Sequence, residues 1–72
     1  MFTLDLHGYK IHETHDVVDS FLYDHKLYNT KRIEIITGDS KVIKTVVTEI
    51  AETYGFECKP HIYNKEVLTL SV

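Results

Sequence analysis

The stretch FTLDLHG, residues 2–8, decides the fold class of this chain. Apolar residues at positions 2, 4 and 6 alternate with polar ones, and Gly8 ends the run. This period of two is typical of a strand with one buried face. A strand covered on both faces would be apolar throughout. The pattern therefore predicts a sheet that carries its helices on one face only.

Five more segments follow residues 2–8. Helical spacing of apolar residues predicts a helix over about 12–27 and a second one along the stripe from Ile43 to Tyr54, with Ser40 or Asp39 as the N-cap of the second. Asn29 and Gly55 lie just beyond the ends of the two helices. Alternation predicts strands at 32–36, at 56–62 and at 68–72, and Asn64-Lys65 as the turn between the last two. The order β-α-β-α-β-β predicts a two-layer α+β (α/β) sandwich with a four-stranded mixed sheet and both helices on one face. Pro60 favours an edge position or a bulge for the third strand.

The alternation also assigns the two faces of the sheet. The residues expected to face inward are Ile33, Ile35, Phe56, Cys58, Ile62, Leu68, Leu70 and Val72. The residues expected on the open face are Thr3, Asp5, His7, Arg32, Glu34, Glu57, Lys59, His61, Thr69 and Ser71.

Length and composition limit the function. A chain of 72 residues has room for one core, so we expect a single domain over residues 1–72. Eight basic against 11 acidic residues give a net charge of −3, which argues against nucleic-acid binding by bulk charge but leaves room for a local phosphate site. The single cysteine excludes an internal disulfide, and no apolar run approaches the ~20 residues of a membrane span. We therefore expect a cytoplasmic protein.

Candidate chemistry lies where the first strand ends. Asp5 and His7 are two residues apart on a strand and share one face. A carboxylate beside an imidazole makes the histidine a candidate general acid or base, or a metal ligand. Gly8 allows a sharp turn and leaves space for a substrate, and Tyr9 is placed to stack on a base.

A second corner, Thr37-Gly38-Asp39-Ser40, opens the second helix. Ligands in open α/β sheets bind beyond the carboxyl ends of the parallel strands, where both corners are expected. The free N–H groups of the helix end attract anions, and Lys41 and Lys44 add positive charge. Together the corners predict a phosphodiester site with His7 beside the phosphate.

Each motif also has a structural interpretation. His7 fits a loop histidine bonded to a carbonyl, Thr37-Gly38 fits an ordinary turn, and Asp39 opposes an anion. The run His12-Glu13-Thr14-His15-Asp16 suggests zinc, but its histidines are three apart, whereas the metalloprotease motif needs four. A solvated helix start, or contact of His12 with a substrate, explains this run as well.

These residues resemble a known family. Leu4-Asp5-Leu6-His7-Gly8 resembles the LDLHG signature of the small MutS-related (Smr) domain, and Ile35-Ile36-Thr37-Gly38 resembles its I-I-[HT]-G. Ile43-Lys44-Thr45-Val46-Val47 resembles its L-R-x-x-V. The element order is similar to that of the C-terminal domain of bacterial translation initiation factor three. The chain departs from the family where Ser40 replaces the second glycine of the TGxG loop and Lys44 replaces the arginine.

The resemblance implies a stand-alone Smr-like domain that binds branched or structured DNA, or RNA, with Asp5 and His7 as the cleaving residues. Thr37, Gly38 and Lys44 would hold the backbone. Three functions stay open: an endonuclease, with or without a divalent metal; a nucleic-acid-binding module without catalysis; and a protein-interaction domain. DNA or RNA as partner and the oligomeric state are also open.

Overall fold

A computed structural model describes residues 2–72 and confirms the predicted order of elements. The strands are β1 (Phe2–Asp5), β2 (Arg32–Ile36), β3 (Glu57–Pro60) and β4 (Val67–Ser71), and the helices are α1 (Ile11–Leu27) and α2 (Lys41–Thr53). The fold is the expected two-layer sandwich with a four-stranded mixed sheet. Within residues 2–72, no helix is long and apolar enough to cross a membrane.

The strands lie in the order β1-β2-β4-β3. β1 runs parallel to β2, with Asp5 opposite Ile36 at their carboxyl ends. β4 runs antiparallel to both β2 and β3. Pro60 lies on the outer strand β3, where its missing N–H costs no central ladder bond. The prediction of an edge position for the third strand is therefore confirmed.

Local signals fix the ends of the helices. The Ser40 hydroxyl accepts the N–H of Ile43 at 3.1 Å and caps α2. Glu13 accepts the N–H of Lys10 at 2.9 Å, so α1 has a carboxylate at its start. Asn29 and Gly55 follow the two helices with φ of 57° and 82°, the left-handed geometry that ends helices.

One apolar core fills the space between the helices and the sheet. Val18 and Leu22 of α1 and Val47 of α2 are fully buried, as are Ile33 and Ile35 of β2. The remaining buried members of this core are Leu6, Ile43, Ile50, Ala51, Phe56, Leu68 and Leu70. Burial of this surface is the main driving force for folding.

Two expectations at the strand ends are wrong. Ile62 is 86% exposed because β3 stops at Pro60 and residues 61–66 form the connection to β4. Val72 is 64% exposed because β4 ends at Ser71. In both places the alternation continues in the sequence after the ladder of strand hydrogen bonds has ended.

Candidate nucleic-acid interface

The two sequence corners lie side by side at one edge of the sheet. The N–H of Leu6 donates to the carbonyl of Ile36 at 3.0 Å, which extends the parallel pairing of β1 and β2 past Asp5. The chain then turns at Gly8 in the first corner and at Gly38 in the second. We call these the LDLHG corner (residues 4–9) and the TGDS corner (residues 37–40).

Asp5 shapes the LDLHG corner through the backbone. Its Oδ1 accepts the N–H of His7 at 2.8 Å, and both residues are exposed. The N–H of Tyr9 donates to the carbonyl of Leu6 at 3.1 Å and closes the turn. Gly8 has a φ of 92°, which a residue with a Cβ rarely adopts. The carboxylate therefore holds the loop that presents His7 to solvent.

The TGDS corner is fastened to the loop before β4. Thr37 is buried, and its N–H and that of Gly38 both donate to the carbonyl of Glu66, at 2.8 and 3.1 Å. The Thr37 hydroxyl lies 3.2 Å from the same oxygen and 3.0 Å from the carbonyl of Gly38. The Gly38 N–H is thus already engaged inside the protein.

The start of α2 supplies the positive charge of this edge. Lys41 is exposed in the first helical turn, and Lys44 is half-buried one turn further on, where it borders a shallow hollow on α2. Lys65 Nζ lies 4.0 Å from Asp39 Oδ1, so the carboxylate of the TGDS corner has a cation nearby. Both of these side chains are well exposed, and water screens their interaction.

The two corners lie within a stretch of the chain that matches a known protein family. The model of the Smr domain matches residues 4–64, which include both corners. The chain belongs to the Smr domain family. In general, Smr domains bind nucleic acid, and some of them are nucleases. No curated protein and no solved structure matches the chain.

Clusters of metal-ligating side chains were expected, if anywhere, in the His12–Asp16 run. Within residues 2–72, no group of three or more His, Cys, Asp or Glu side chains is placed to hold a metal ion. In the His12–Asp16 run, His15 instead lies 3.7 Å from Asp16, on the exposed start of α1.

Cys58 of the Smr domain is half-buried and packs against the core. Burial raises the pKa of its thiol above the ordinary value, and a contact with the Thr48 hydroxyl at 3.6 Å acts against that rise. A catalytic cysteine needs a lowered pKa and access to solvent. The surroundings of Cys58 are therefore those of a packing residue, in keeping with its predicted inward position.

Sequence reasoning missed two features of this Smr domain. The first is Glu66, whose backbone carbonyl holds the TGDS corner; no side-chain motif marks a carbonyl. The second is the partner of His61, for which the sequence offered none. His61 Nε2 lies 3.5 Å from Glu34 Oε2 across the open face of the sheet. The signal available in the sequence was the alternation, which assigns both Glu34 and His61 to the open face.

Proposed function

We propose that this Smr domain binds structured DNA or RNA and cleaves its phosphodiester backbone at His7. The observation that carries the proposal is the hydrogen bond between Leu6 and Ile36, which sets the LDLHG and TGDS corners next to each other. A phosphate resting at the start of α2 would have the His7 ring beside it, on the exposed side of the LDLHG corner.

His7 supplies the proton transfer in this proposal. An oxygen nucleophile attacks phosphorus and the bond from phosphorus to the leaving oxygen breaks. The imidazole takes the proton of the nucleophile, or in its protonated form gives one to the leaving oxygen. Asp5 acts as a positioning residue, because its Oδ1 holds the backbone N–H of His7. Lys41 and the first N–H groups of α2 attract the charged phosphate.

Binding without cleavage is the second candidate function. The observation that favours it is the engagement of the Gly38 N–H by Glu66 at 3.1 Å, since this donor is then not free for a phosphate oxygen. Ser40, which stands where the TGxG loop of the family has its second glycine, favours it as well. In this case Lys41, Lys44 and the first N–H groups of α2 hold the backbone, and His7 contacts it without transferring a proton.

Cleavage assays on labelled branched DNA, duplex DNA, structured RNA and single strands separate the two candidates. Each is incubated with native protein, His7→Ala and His15→Ala, with and without Mg²⁺ or Mn²⁺. We expect native protein and His15→Ala to cleave at least one substrate, and His7→Ala to be slower by about 10²–10⁴-fold, the usual contribution of a general acid or base.

His15→Ala is the matched control because it removes an exposed imidazole from α1. Equal cleavage by native protein and His7→Ala would exclude the role given to His7. Binding by all three proteins with no product under any condition would establish the binding module instead. That binding should weaken as salt is added, because phosphate contacts release counterions.

A further inference from the structure

We propose that the open face of the sheet holds a second binding site, for a single-stranded stretch of nucleic acid that leads to the phosphodiester site. This inference rests on the proposed function and extends it to a substrate class. The site is a groove of about 410 Å³, which we call the sheet-face groove; its main residues are Arg32, Glu34, Lys59, His61, Tyr63 and Thr69. Clefts for small ligands usually measure about 300–1,000 Å³, so the groove has room for a nucleotide unit.

His61 builds one wall of the groove. Its Nδ1 accepts the N–H groups of Tyr63 and Asn64 at 3.1 and 3.2 Å, and its Nε2 faces Glu34 Oε2 at 3.5 Å. An Nδ1 that accepts leaves the proton on Nε2, which then points at the carboxylate. Because both ring nitrogens are engaged, the imidazole braces residues 63 and 64 over the sheet. The wall is therefore formed before any ligand arrives.

Arg32 contributes a guanidinium to the groove. Within residues 2–72 no carboxylate lies within 4.0 Å of its guanidinium, whereas Lys59 Nζ is paired with Glu57 Oε1 at 2.9 Å. A guanidinium matches the oxygens of a phosphate in a bidentate geometry. Ser71, opposite Arg32 in the ladder, adds a hydroxyl to the same end of the groove. Because Glu34 faces His61 and Glu57 pairs with Lys59, the Arg32 guanidinium is left to contact an anionic group of a ligand.

Tyr63 gives the groove an aromatic surface. Tyr63 is 92% exposed and lies beside Ile62, which is also exposed. Leaving two large apolar side chains in water costs free energy that burial would recover. Bases stack on such rings in single-strand binding sites, with little dependence on sequence. An acidic peptide would satisfy Arg32 but has no base to place on Tyr63. The combination of a guanidinium and an exposed ring favours a nucleotide.

β2 connects the groove to the phosphodiester site. Arg32, Glu34 and Ile36 lie on the open face, since Ile33 and Ile35 between them are buried on the helical side. Ile36 lies opposite Asp5, so the far end of this row reaches the LDLHG corner. Four residues of strand span about 13 Å. At about 3.4 Å per stacked nucleotide, some four nucleotides would cover the distance.

The test measures affinity and cleavage separately. Fluorescence anisotropy with a labelled single strand of roughly 12 nucleotides, as RNA and as DNA, compares native protein with Tyr63→Ala and Arg32→Gln. The controls are Tyr28→Ala and Lys31→Gln, which remove an exposed ring and a neighbouring charge outside the groove. Circular dichroism verifies that each variant is folded. Cleavage is followed on a blunt duplex and on the same duplex with a single-stranded extension.

We expect Tyr63→Ala to weaken single-strand binding by roughly 5- to 150-fold, which corresponds to one lost stack. Arg32→Gln should reduce the slope of log affinity against log salt by about 0.7, the value for one phosphate contact on a single strand. Both controls should bind like native protein. An extension of four or more nucleotides should increase cleavage by native protein and not by Tyr63→Ala.

Equal single-strand affinity in the groove variants and the controls would overturn the proposal that the sheet-face groove binds single strands. The absence of any single-strand binding by native protein would overturn it as well. Binding of a poly-glutamate peptide through Arg32, without any oligonucleotide binding, would overturn it in favour of a protein partner. In each case, cleavage of the blunt duplex that still depends on His7 would leave the proposed function intact. The two failures are thus distinguishable.

Discussion

The Tyr54 hydroxyl ties the end of α2 to α1, because it donates to Asp19 Oδ1 at 2.9 Å. This hydrogen bond raises the pKa of Tyr54 above its ordinary value of 10.0, since a phenolate would lose the bond and face a carboxylate. We expect Asp19→Asn to lower the pKa of Tyr54 toward that value. Titration of ¹³C-labelled tyrosine by NMR measures the change.

The raised pKa of Tyr54 makes the stability of the protein depend on pH in the alkaline range. A pKa of Tyr54 that is higher in the folded than in the unfolded protein gives stability that is complete below pH 10 and is lost as pH rises through the folded pKa. Asp16→Asn is the matched control, because it removes the same charge from an exposed site on α1. A pKa of Tyr54 that stays unchanged in Asp19→Asn would contradict the assigned cause.

At the same scale, the candidate site was only partly predictable. The placement of Asp5 and Gly38 at one edge follows from the parallel order of two strands, which alternation and length reveal. The engagement of Gly38 by Glu66 could not be read from the sequence, because a backbone carbonyl has no residue signature. Thr37 and Glu66 are also 29 residues apart in the sequence, and only the assembled sheet brings them into contact.

At the scale of the element, Ser40 is the residue that starts α2. Its hydroxyl satisfies the N–H of Ile43, which otherwise has no partner within the helix. We expect Ser40→Ala to lower the free energy of unfolding by about 1 kcal/mol, within the 0.5–2 kcal/mol range of lost caps. Urea denaturation followed by circular dichroism measures it. Ser20→Ala, an exposed change inside α1, should cost nothing, and an equal loss in both variants would refute the cap.

Elements were predicted better than their ends. The start of α1 differs from the sequence-based bound by one residue, and α2 ends at Thr53, one residue before the end of its predicted stripe, because periodicity marks the buried stripe and not the last hydrogen bond. The third strand was predicted to 62 but stops at Pro60, where the connection leaves the ladder. The order of strands, β1-β2-β4-β3, needed the structure, since short alternating strands specify their partners only through packing.

At the scale of the whole molecule, stability depends on one small core. Ile35 is fully buried in β2, between Leu4 of β1 and Leu68 of β4. We expect Ile35→Ala to cost about 2–5 kcal/mol, because it leaves a cavity at the centre of the sheet. A domain of this length has a total of about 4–11 kcal/mol, so a large part of its stability would be lost.

Thermal unfolding measures this loss, with Val42→Ala as the control. Val42 is 54% exposed on α2, and its truncation should change the midpoint only slightly. A midpoint for Ile35→Ala that is close to the native one would contradict a single cooperative core. The two-layer architecture itself was predictable from residues 2–8 and the alternation of the later strands, since one-sided burial leaves few other arrangements.

The Glu66 carbonyl accepts from three donors of the TGDS corner, so the length of the connection between β3 and β4 determines where that corner lies. Residues inserted into or removed from 61–66 would shift that oxygen and, with it, the direction in which residues 37–40 leave the sheet. A design that moves the TGDS corner into another scaffold therefore has to include β3, β4 and the connection between them, at its present length.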